Sequence, residues 1–275
     1  MTKLLVFDIG ARDGLHSRWN GIPIEAVGFE ADEVECERLN KKGGPVRFLP
    51  YALGSADNQA ATLHLTSGIG CSSLYEPNQE LLAPYWHRQY WQVERKVPVT
   101  LTTLDTVCER DHLRPDAMKL DIQGAELEAL KGSEKILPGM LAVEIEVAFS
   151  ETYIGQPLFA DIDTFMRSRG FTLVKLRTES WRREGATRSP HGATVLYGDA
   201  LYLHEANLAR APQKAAHIYC AYKLHDRSQE TYSQSWWQRL VGALMQRTNG
   251  GYKTWRTWLD ASAPRTIRDF RDPDL

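Results

Sequence analysis

The sequence predicts an α/β fold in which a mostly parallel sheet of seven strands carries helices on both faces. Short apolar runs rich in branched and aromatic residues alternate with segments of helical periodicity, which is typical of a doubly wound sheet. Glycine or a charged residue ends most of these runs, so polar groups are expected at the strand ends. The predicted strands are residues 4–9, 24–30, 46–51, 116–121, 140–147, 171–176 and 193–203.

The first predicted strand runs into a glycine turn at residues 10–14, with the sequence Gly-Ala-Arg-Asp-Gly. Gly10 and Gly14 permit a sharp turn and a close approach of the backbone to a ligand, whose polar groups would meet free amides. An ordinary turn between a strand and a helix has the same signature. The turn alone therefore leaves both interpretations open.

A carboxylate stands at the end of the second predicted strand. Glu30 closes the apolar run, and an acid at this position of a doubly wound sheet can accept hydrogen bonds from both ribose hydroxyls of a nucleoside. Together with the glycine turn, Glu30 predicts an adenosine pocket. The other predicted wall residues, which fit a core or turn role equally well, are Ala31, Tyr51, Ala52 and Leu53.

The glycine turn also discriminates between adenosine cofactors. In the dinucleotide fingerprint G-x-G-x-x-G, the second glycine admits a pyrophosphate. Here Arg12 and Asp13 occupy that part of the turn, and an acid there would lie beside the phosphates. The turn thus disfavours NAD and favours S-adenosylmethionine (SAM), which has no phosphate. Asp8, just before the turn, is then placed to meet the cationic amino group of the methionine part.

The composition fits a soluble globular protein. With 275 residues, 43% hydrophobic content and a formal net charge of -2, we expect one α/β domain with an extension and no nucleic-acid partner. The four cysteines lack metal-site or disulfide spacing, which suits a reducing cytoplasm. We expect no signal peptide and no transmembrane segment, because no apolar run approaches the ~20 residues that a membrane helix needs.

Residues 66–96 form a predicted insertion that is rich in aromatic residues. The runs 61–65 and 96–101 on either side alternate in polarity and are expected to pair as strands. Aromatic side chains with polar tips beside a cofactor site suit a lid over a substrate ring, although packing cover or a dimer contact fits too. Ser73 is a candidate cofactor contact in this segment, and His87 is a candidate general base.

Carboxylates also mark the fourth and fifth predicted strands. The fourth strand ends at Asp121, which would face the position of a transferred methyl group. Glu144 and Glu146 alternate in an otherwise apolar fifth strand, where acids are costly unless they are paired or ligating. With Asp121 they could hold Mg²⁺ and lower the pKa of a substrate hydroxyl. A salt bridge to Lys119 explains one of the acids equally well.

Five sequence blocks, in order, resemble the FkbM-type family of SAM-dependent methyltransferases. They are Asp8-Ile9-Gly10-Ala11, then Glu30, then Gly70-Cys71-Ser72-Ser73-Leu74, then Thr103-Leu104-Asp105, then Lys119-Leu120-Asp121-Ile122-Gln123-Gly124-Ala125-Glu126. The resemblance spans residues 4 to about 177, and its last block is the most specific. It implies a Rossmann-like class I methyltransferase fold and O-methylation of sugars, polysaccharides or secondary metabolites, with metal dependence in some members. Arg12 departs from the small or amide residue usual in that turn.

The C-terminal part of the chain no longer alternates between strands and helices. We therefore predict a methyltransferase domain over residues 1–206 and a helical extension over 207–275, with tryptophans at helical spacing. This extension could dock on the core, form a homo-oligomer contact or make a peripheral membrane contact beside a lipid-linked glycan. Docking or dimerisation is preferred, because a single amphipathic helix is more often packed than membrane-bound.

The sequence as a whole predicts a cytoplasmic, SAM-dependent O-methyltransferase that acts on a hydroxyl of a small molecule or glycan. Glu30 would hold the ribose, the turn at 10–14 the methionine end, and Asp121 the reacting centre. Two alternatives remain. One is an NAD-dependent oxidoreductase, which Arg12 disfavours, and the other is a non-catalytic glycan-binding or assembly protein that retains the fold.

Overall fold

The computed structural model describes residues 2–11, 14–44, 46–68, 70–186 and 193–224. The strands in these ranges are β1 (Leu4–Ile9), β2 (Ile24–Phe29), β3 (Val46–Leu49), β4 (Ala52–Leu53), β5 (Gln59–Thr66), β6 (Val93–Thr102), β7 (Ala117–Leu120), β8 (Ala142–Ala148), β9 (Thr172–Trp181) and β10 (Thr194–Leu203). The α-helices are α1 (Glu33–Lys42), α2 (Gln79–Leu82), α3 (Leu104–Arg110), α4 (Glu126–Lys131), α5 (Phe159–Ser168), α6 (Glu205–Arg210) and α7 (Pro212–Tyr222), and 3₁₀ turns span Ser17–Trp19, Trp86–Trp91 and Leu137–Gly139.

Seven of the described strands form one sheet in the order β3-β2-β1-β7-β8-β10-β9. The pairs from β3 to β8 are parallel, and β10 runs antiparallel to both of its neighbours. The predicted α/β fold with a mostly parallel seven-stranded sheet is therefore confirmed. Its strand order reverses at β1, which brings the ends of β1, β2 and β7 together at one edge, where ligands bind in such sheets.

Helices cover both faces of this sheet. On one face, α3, α4 and α5 bury Leu104, Leu130 and Ile162 against strand residues such as Phe7 and Val143. On the other face, α7 and the 3₁₀ turn at Ser17–Trp19 cover the beginning of β1. The rings of Trp19 and Tyr222 meet edge to face there, at 5.8 Å. In the described chain, α7 thus lies on the face that a helix between β1 and β2 would otherwise cover.

A smaller sheet lies beside the third strand, in the order β4-β6-β5. Strands β5 and β6 pair antiparallel with Leu63 opposite Val97, which confirms the pairing predicted for the two runs around the insertion. The predicted third strand, 46–51, is divided in two. Pro50 has no N–H group to continue the ladder, so β3 ends at Leu49 and the chain re-forms as β4 in the other sheet.

The aromatic insertion packs on the far end of the long pair β9–β10. Tyr85 and Trp91 from the insertion are buried against Tyr153 and Trp181, which closes an aromatic cluster on this side of the molecule. The sequence predicted a strand only to residue 176. The strand instead continues to Trp181, because β10 pairs with it throughout and the insertion covers the tryptophan.

The Trp-rich part of the predicted C-terminal extension lies outside the described residues. Its beginning is described as α6 and α7, and α7 buries Ile218 and Tyr222 against the sheet. No helix in the described ranges is both long and apolar enough to cross a membrane. The division at residue 206 and the role of the extension remain predictions.

Candidate active site

A cleft of about 390 Å³ opens at the strand ends where β1, β2 and β7 meet. Its walls contain every predicted cofactor residue that the structure describes, namely Asp8, Gly10, Ala11, Gly14, Glu30, Ala31, Tyr51, Ala52, Leu53, Ser73 and Asp121. Arg12, the remaining predicted contact, lies outside the described residues. Parallel strands bring their carboxyl ends to one edge, which is why residues so distant in sequence share this cleft.

The glycine turn after β1 fits closely against the end of β7. Gly10 and Gly14 have φ angles of +82° and +84°, which side chains other than glycine rarely adopt. A methyl group on Gly10 would overlap the carbonyl oxygen of Asp121. The Gly10 amide donates to the Phe29 carbonyl at 3.0 Å, and the Asp121 amide to that of Ile9 at 3.0 Å. Because residue 10 is glycine, the ends of β1, β2 and β7 can lie against one another.

Asp8 points a buried carboxylate into the cleft. The residue is 4% exposed and lines the cleft wall, and its carboxylate accepts no hydrogen bond from the residues that the structure describes. Burial raises its pKa to about 6, although the Lys119 ammonium works in the opposite direction. A buried carboxylate without donors is costly, so Asp8 is suited to a cationic or hydrogen-bond-donating ligand.

Asp121 belongs to a charged network at the end of β7. Lys119 Nζ lies 2.8 Å from its Oδ2, and Gln123 Nε2 donates to its Oδ1 at 3.0 Å. The same amide nitrogen donates to Glu146 Oε2 at 2.6 Å, so Gln123 links the two carboxyls.

The two carboxyls have pKa values shifted in opposite directions. Burial opposes the charge of Asp121, but Lys119 and the hydrogen bonds from its neighbours outweigh it and lower the pKa. Burial, with the adjacent Asp121 charge, raises the pKa of Glu146 well above its ordinary value. Asp121 is therefore the more acidic member of the pair.

Glu126 fixes the loop that carries Gln123. Its carboxylate accepts the amides of Ile122 at 2.8 Å and Gly124 at 2.9 Å. This arrangement supports positive φ angles at Gln123, +57°, and Gly124, +107°. Burial raises the pKa of Glu126 to about 7. Glu126 is thus a positioning residue for the strand end.

Comparison with known families decides the class of enzyme. The sequence profile of the family described as "Methyltransferase FkbM domain" matches residues 8–173, which include all the cleft residues named above. The chain belongs to the FkbM methyltransferase family. It is therefore a SAM-dependent methyltransferase with the class I fold, and the seven-stranded sheet described above is the sheet of that fold.

Individual relatives of this FkbM methyltransferase are more distant. The 2-O-methyltransferase NoeI of Sinorhizobium fredii (strain NBRC 101917 / NGR234) is 27% identical over 169 residues, or 58% of this chain and 70% of that protein. Among solved structures, a TehB-like SAM-dependent methyltransferase from Corynebacterium glutamicum has a TM-score of 0.36 and 11% identity over 73% of this chain and 79% of its own. SAM-bound magnesium protoporphyrin IX methyltransferase (ChlM) from Synechocystis PCC 6803 has a TM-score of 0.34 and 14% identity over 73% and 70%.

The residues of the cleft fit SAM in charge and shape. SAM carries a cationic amino group and a sulfonium but no phosphate, and the cleft wall contains the carboxylates of Asp8 in β1 and of Glu30 after β2. Glu30 also accepts the amide of Asp32 at 2.9 Å, which fixes its orientation at the beginning of α1. These features suit the cofactor that the family uses.

The FkbM methyltransferase does not gather the three predicted metal ligands. Glu144 forms an ion pair with Arg18, and the Tyr222 hydroxyl lies 3.4 Å from the same carboxylate. Within the described ranges, no three histidine, cysteine or acidic side chains are close enough together to hold a metal ion. Glu146 and Asp121 face each other, whereas Glu144 pairs with Arg18 on the face of the sheet that α7 covers. The Lys119 salt bridge that the sequence left as an alternative is formed, with Asp121.

The predicted general base, His87, is not among the residues that line the cleft. Its imidazole stacks on Trp181, with ring centres 4.5 Å apart and an interplanar angle of 22°. Burial lowers the pKa of His87. The structure therefore places His87 in the aromatic cluster rather than beside Asp121.

Sequence reasoning did not assign roles to two residues that shape this site. Gln123 bridges two carboxyls, and Glu126 holds its loop. Both lie in the block that carried the family resemblance. A glutamate at the first position of a helix, directly after a glycine loop, is the signal by which Glu126 could have been found.

Proposed function

We propose that this FkbM methyltransferase transfers the methyl group of SAM to a hydroxyl oxygen of a sugar, glycan or secondary metabolite. The observation that carries the proposal is the carboxyl pair of Asp121, which lines the cleft, and Glu146, which Gln123 links to it; such a pair can orient a hydroxyl and take up its proton. The relation to a protein named as a 2-O-methyltransferase supports an oxygen acceptor.

The cleft residues divide the proposed work of cofactor binding. Glu30 accepts hydrogen bonds from the ribose hydroxyls, and the amides of the turn between Gly10 and Gly14 meet the methionine carboxylate. Asp8 pairs with the methionine amino group. The proposed walls around the adenine and the sulfur end are Ala11, Ala31, Tyr51, Ala52, Leu53 and Ser73.

Bound SAM supplies an electrophilic methyl group on a positively charged sulfur. The chain's own contribution is mostly alignment, because holding an oxygen in line with that methyl group removes much of the entropy barrier. Asp121 accepts the hydrogen bond of the attacking hydroxyl and so selects the reactive lone pair. Acid–base assistance of this kind contributes about 100-fold or more.

We infer a cytoplasmic enzyme that acts on a small molecule or glycan rather than on nucleic acid, since the formal net charge of -2 provides no general attraction to a polyanion. Mg²⁺ is not part of the proposed mechanism, because Glu144 is paired with Arg18. His87 is not assigned a catalytic role.

Transfer of a labelled methyl group tests this function. The full chain is incubated with SAM labelled in its methyl group and with methyl glycosides, free sugars and simple phenols, and the products are analysed for O-methyl ethers. Label in an ether, and its loss in Asp121→Asn, is the expected result. Label only in amine or carbon products, or binding of NAD in place of SAM, would contradict the proposal.

A further inference from the structure

A second cavity, of about 210 Å³, is lined by residues of β8 and of the loop that follows β7. It has two residues in common with the cofactor cleft, Gly70 and Gln123, so the two spaces adjoin at the end of this strand. Ligand pockets for larger molecules run from about 300 to 1,000 Å³. The volume of the second cavity therefore suits a single ring.

The carboxyl pair spans the boundary between the two spaces. Asp121 lines the cofactor cleft, whereas Glu146 lines the second cavity. Gln123, which lines both, donates from the same nitrogen to Asp121 at 3.0 Å and to Glu146 at 2.6 Å. Where the two spaces adjoin, a hydroxyl from the second cavity can contact this pair and the methyl donor at the same time.

Part of the wall of the second cavity is aromatic, and hydrogen bonds and ring contacts hold it in place. Trp91, Tyr153 and Tyr197 line the second cavity. Trp91 Nε1 donates to the Tyr153 hydroxyl at 2.9 Å, and that hydroxyl lies 2.9 Å from Gln123 Oε1. Trp181 braces Trp91 and Tyr197 from behind, at ring-centre distances of 5.0 and 5.8 Å. Flat apolar faces with a few fixed polar groups are suited to a ring that carries hydroxyls.

We propose that the second cavity is the acceptor subsite, that Tyr197 contacts the acceptor ring, and that Glu146 acts with Asp121 as the catalytic pair that receives the hydroxyl proton. This inference rests on the proposed methyl transfer to oxygen and says where the acceptor binds. The acceptor is a ring alcohol. The cavity holds one ring at a time, and the reacting hydroxyl of that ring is directed at Gln123.

The reaction balances with the groups present. The hydroxyl oxygen forms a bond to the methyl carbon as the carbon–sulfur bond breaks, and the electron pair of that bond passes to sulfur. The hydroxyl proton goes to Asp121, whose carboxylate lines the cofactor cleft. Lys119 stabilises the initial negative charge at 2.8 Å. Release of one proton to solvent restores the starting state.

Two variants with matched controls test the acceptor subsite. Tyr197→Ala removes a cavity wall, and Val195→Ala changes a 37% exposed residue of the same strand that does not line the cavity. Glu146→Gln removes the acid that lines the cavity, and Glu151→Gln changes an exposed acid of the following loop. Each protein is first titrated with S-adenosylhomocysteine (SAH) by calorimetry. Binding of methyl hexosides, methyl 6-deoxyhexosides and catechol is then measured by saturation-transfer NMR with SAH present.

The wild-type protein should bind at least one of these ring alcohols. Tyr197→Ala should weaken that binding by about 10-fold, the order of one lost ring contact. Glu146→Gln should keep the acceptor affinity within about threefold but slow labelled-methyl transfer by about 100-fold or more. Both variants should bind SAH like wild type, and both controls should match wild type in every measurement.

Three results would overturn the inference: no ring alcohol of the panel binds the SAH complex, Tyr197→Ala binds them like wild type, or Glu146→Gln transfers methyl at the wild-type rate. Failure of the proposed function has a different signature. In that case the wild-type protein itself binds no SAH, or it methylates only non-oxygen acceptors.

Discussion

The buried carboxylate of Asp8 is suited to ligand binding but lowers the free energy of unfolding of the ligand-free protein. The substitution Asp8→Asn tests this interpretation. The side chain is 4% exposed, and burial raises its pKa from 3.8 to about 6. Since one pH unit of difference is worth about 1.4 kcal/mol, ionised Asp8 lowers the free energy of unfolding by up to about 3 kcal/mol.

Proton linkage gives the sign and the pH window. Below pH 3.8 Asp8 is protonated in both the folded and the unfolded chain, and its favourable contribution is fully present. Between pH 3.8 and about 6 only the folded chain retains the proton, so stability is lost as the pH rises through this window. Asp8→Asn carries no charge at any pH. The variant should therefore be more stable than wild type at pH 8 by up to about 3 kcal/mol and equally stable near about pH 4.

Urea unfolding of the ligand-free proteins at several pH values measures this difference. Glu33→Gln, at the exposed first position of α1, is the matched control and should shift the midpoint by little at any pH. The same Asp8→Asn change should weaken SAH binding by about 10- to 100-fold, the range for a lost charge-assisted hydrogen bond. A variant that is less stable than wild type at pH 8, or a difference that does not change with pH, would refute the reasoning.

Three further substitutions probe the architecture of the cleft. Gly10→Ala should lower the free energy of unfolding by about 2 kcal/mol or more, because it adds an overlap with the Asp121 carbonyl to the backbone strain; Gly14→Ala, at the same φ but in open space, should cost only about 1 kcal/mol, and equal losses in thermal unfolding would contradict this. Glu126→Ala leaves two loop amides without their acceptor and should cost about 2 kcal/mol or more, whereas the half-exposed Glu128→Ala on the same helix should cost much less; equal melting temperatures would argue against the positioning role. Glu30→Ala should weaken SAH binding by about 10-fold or more, and unchanged affinity by calorimetry would remove the ribose assignment.

The sequence was sufficient to predict the cleft because of the topology of parallel sheets. Asp8, Glu30 and Asp121 each stand at or near the end of an apolar run, and the carboxyl ends of parallel strands meet at one edge. The glycine turn could be predicted too, because Gly10 and Gly14 mark positions that only glycine occupies easily. The cleft and its glycine turn depend only on the sequence of each strand and on the parallel arrangement of the strands.

Features that depend on contacts between distant segments could not be predicted in this way. Nothing local in the sequence shows that Glu144 pairs with Arg18, and the metal prediction failed to account for that partner. The predicted strand ended at residue 176 and so did not include Trp181, yet β9 reaches this residue and the insertion buries it. His87 likewise stacks on Trp181 instead of lining the cleft. Long-range pairing decided each of these cases.

Calorimetric titration of the full chain with SAM, SAH and NAD in parallel tests the central claim most directly. A cleft built around Asp8 and Glu30, with Asp13 in its glycine turn, should bind SAM and SAH with Kd values in the micromolar range and should not bind NAD. Binding of NAD alone would contradict the account, and binding of none of the three would leave a methyltransferase fold without its cofactor site.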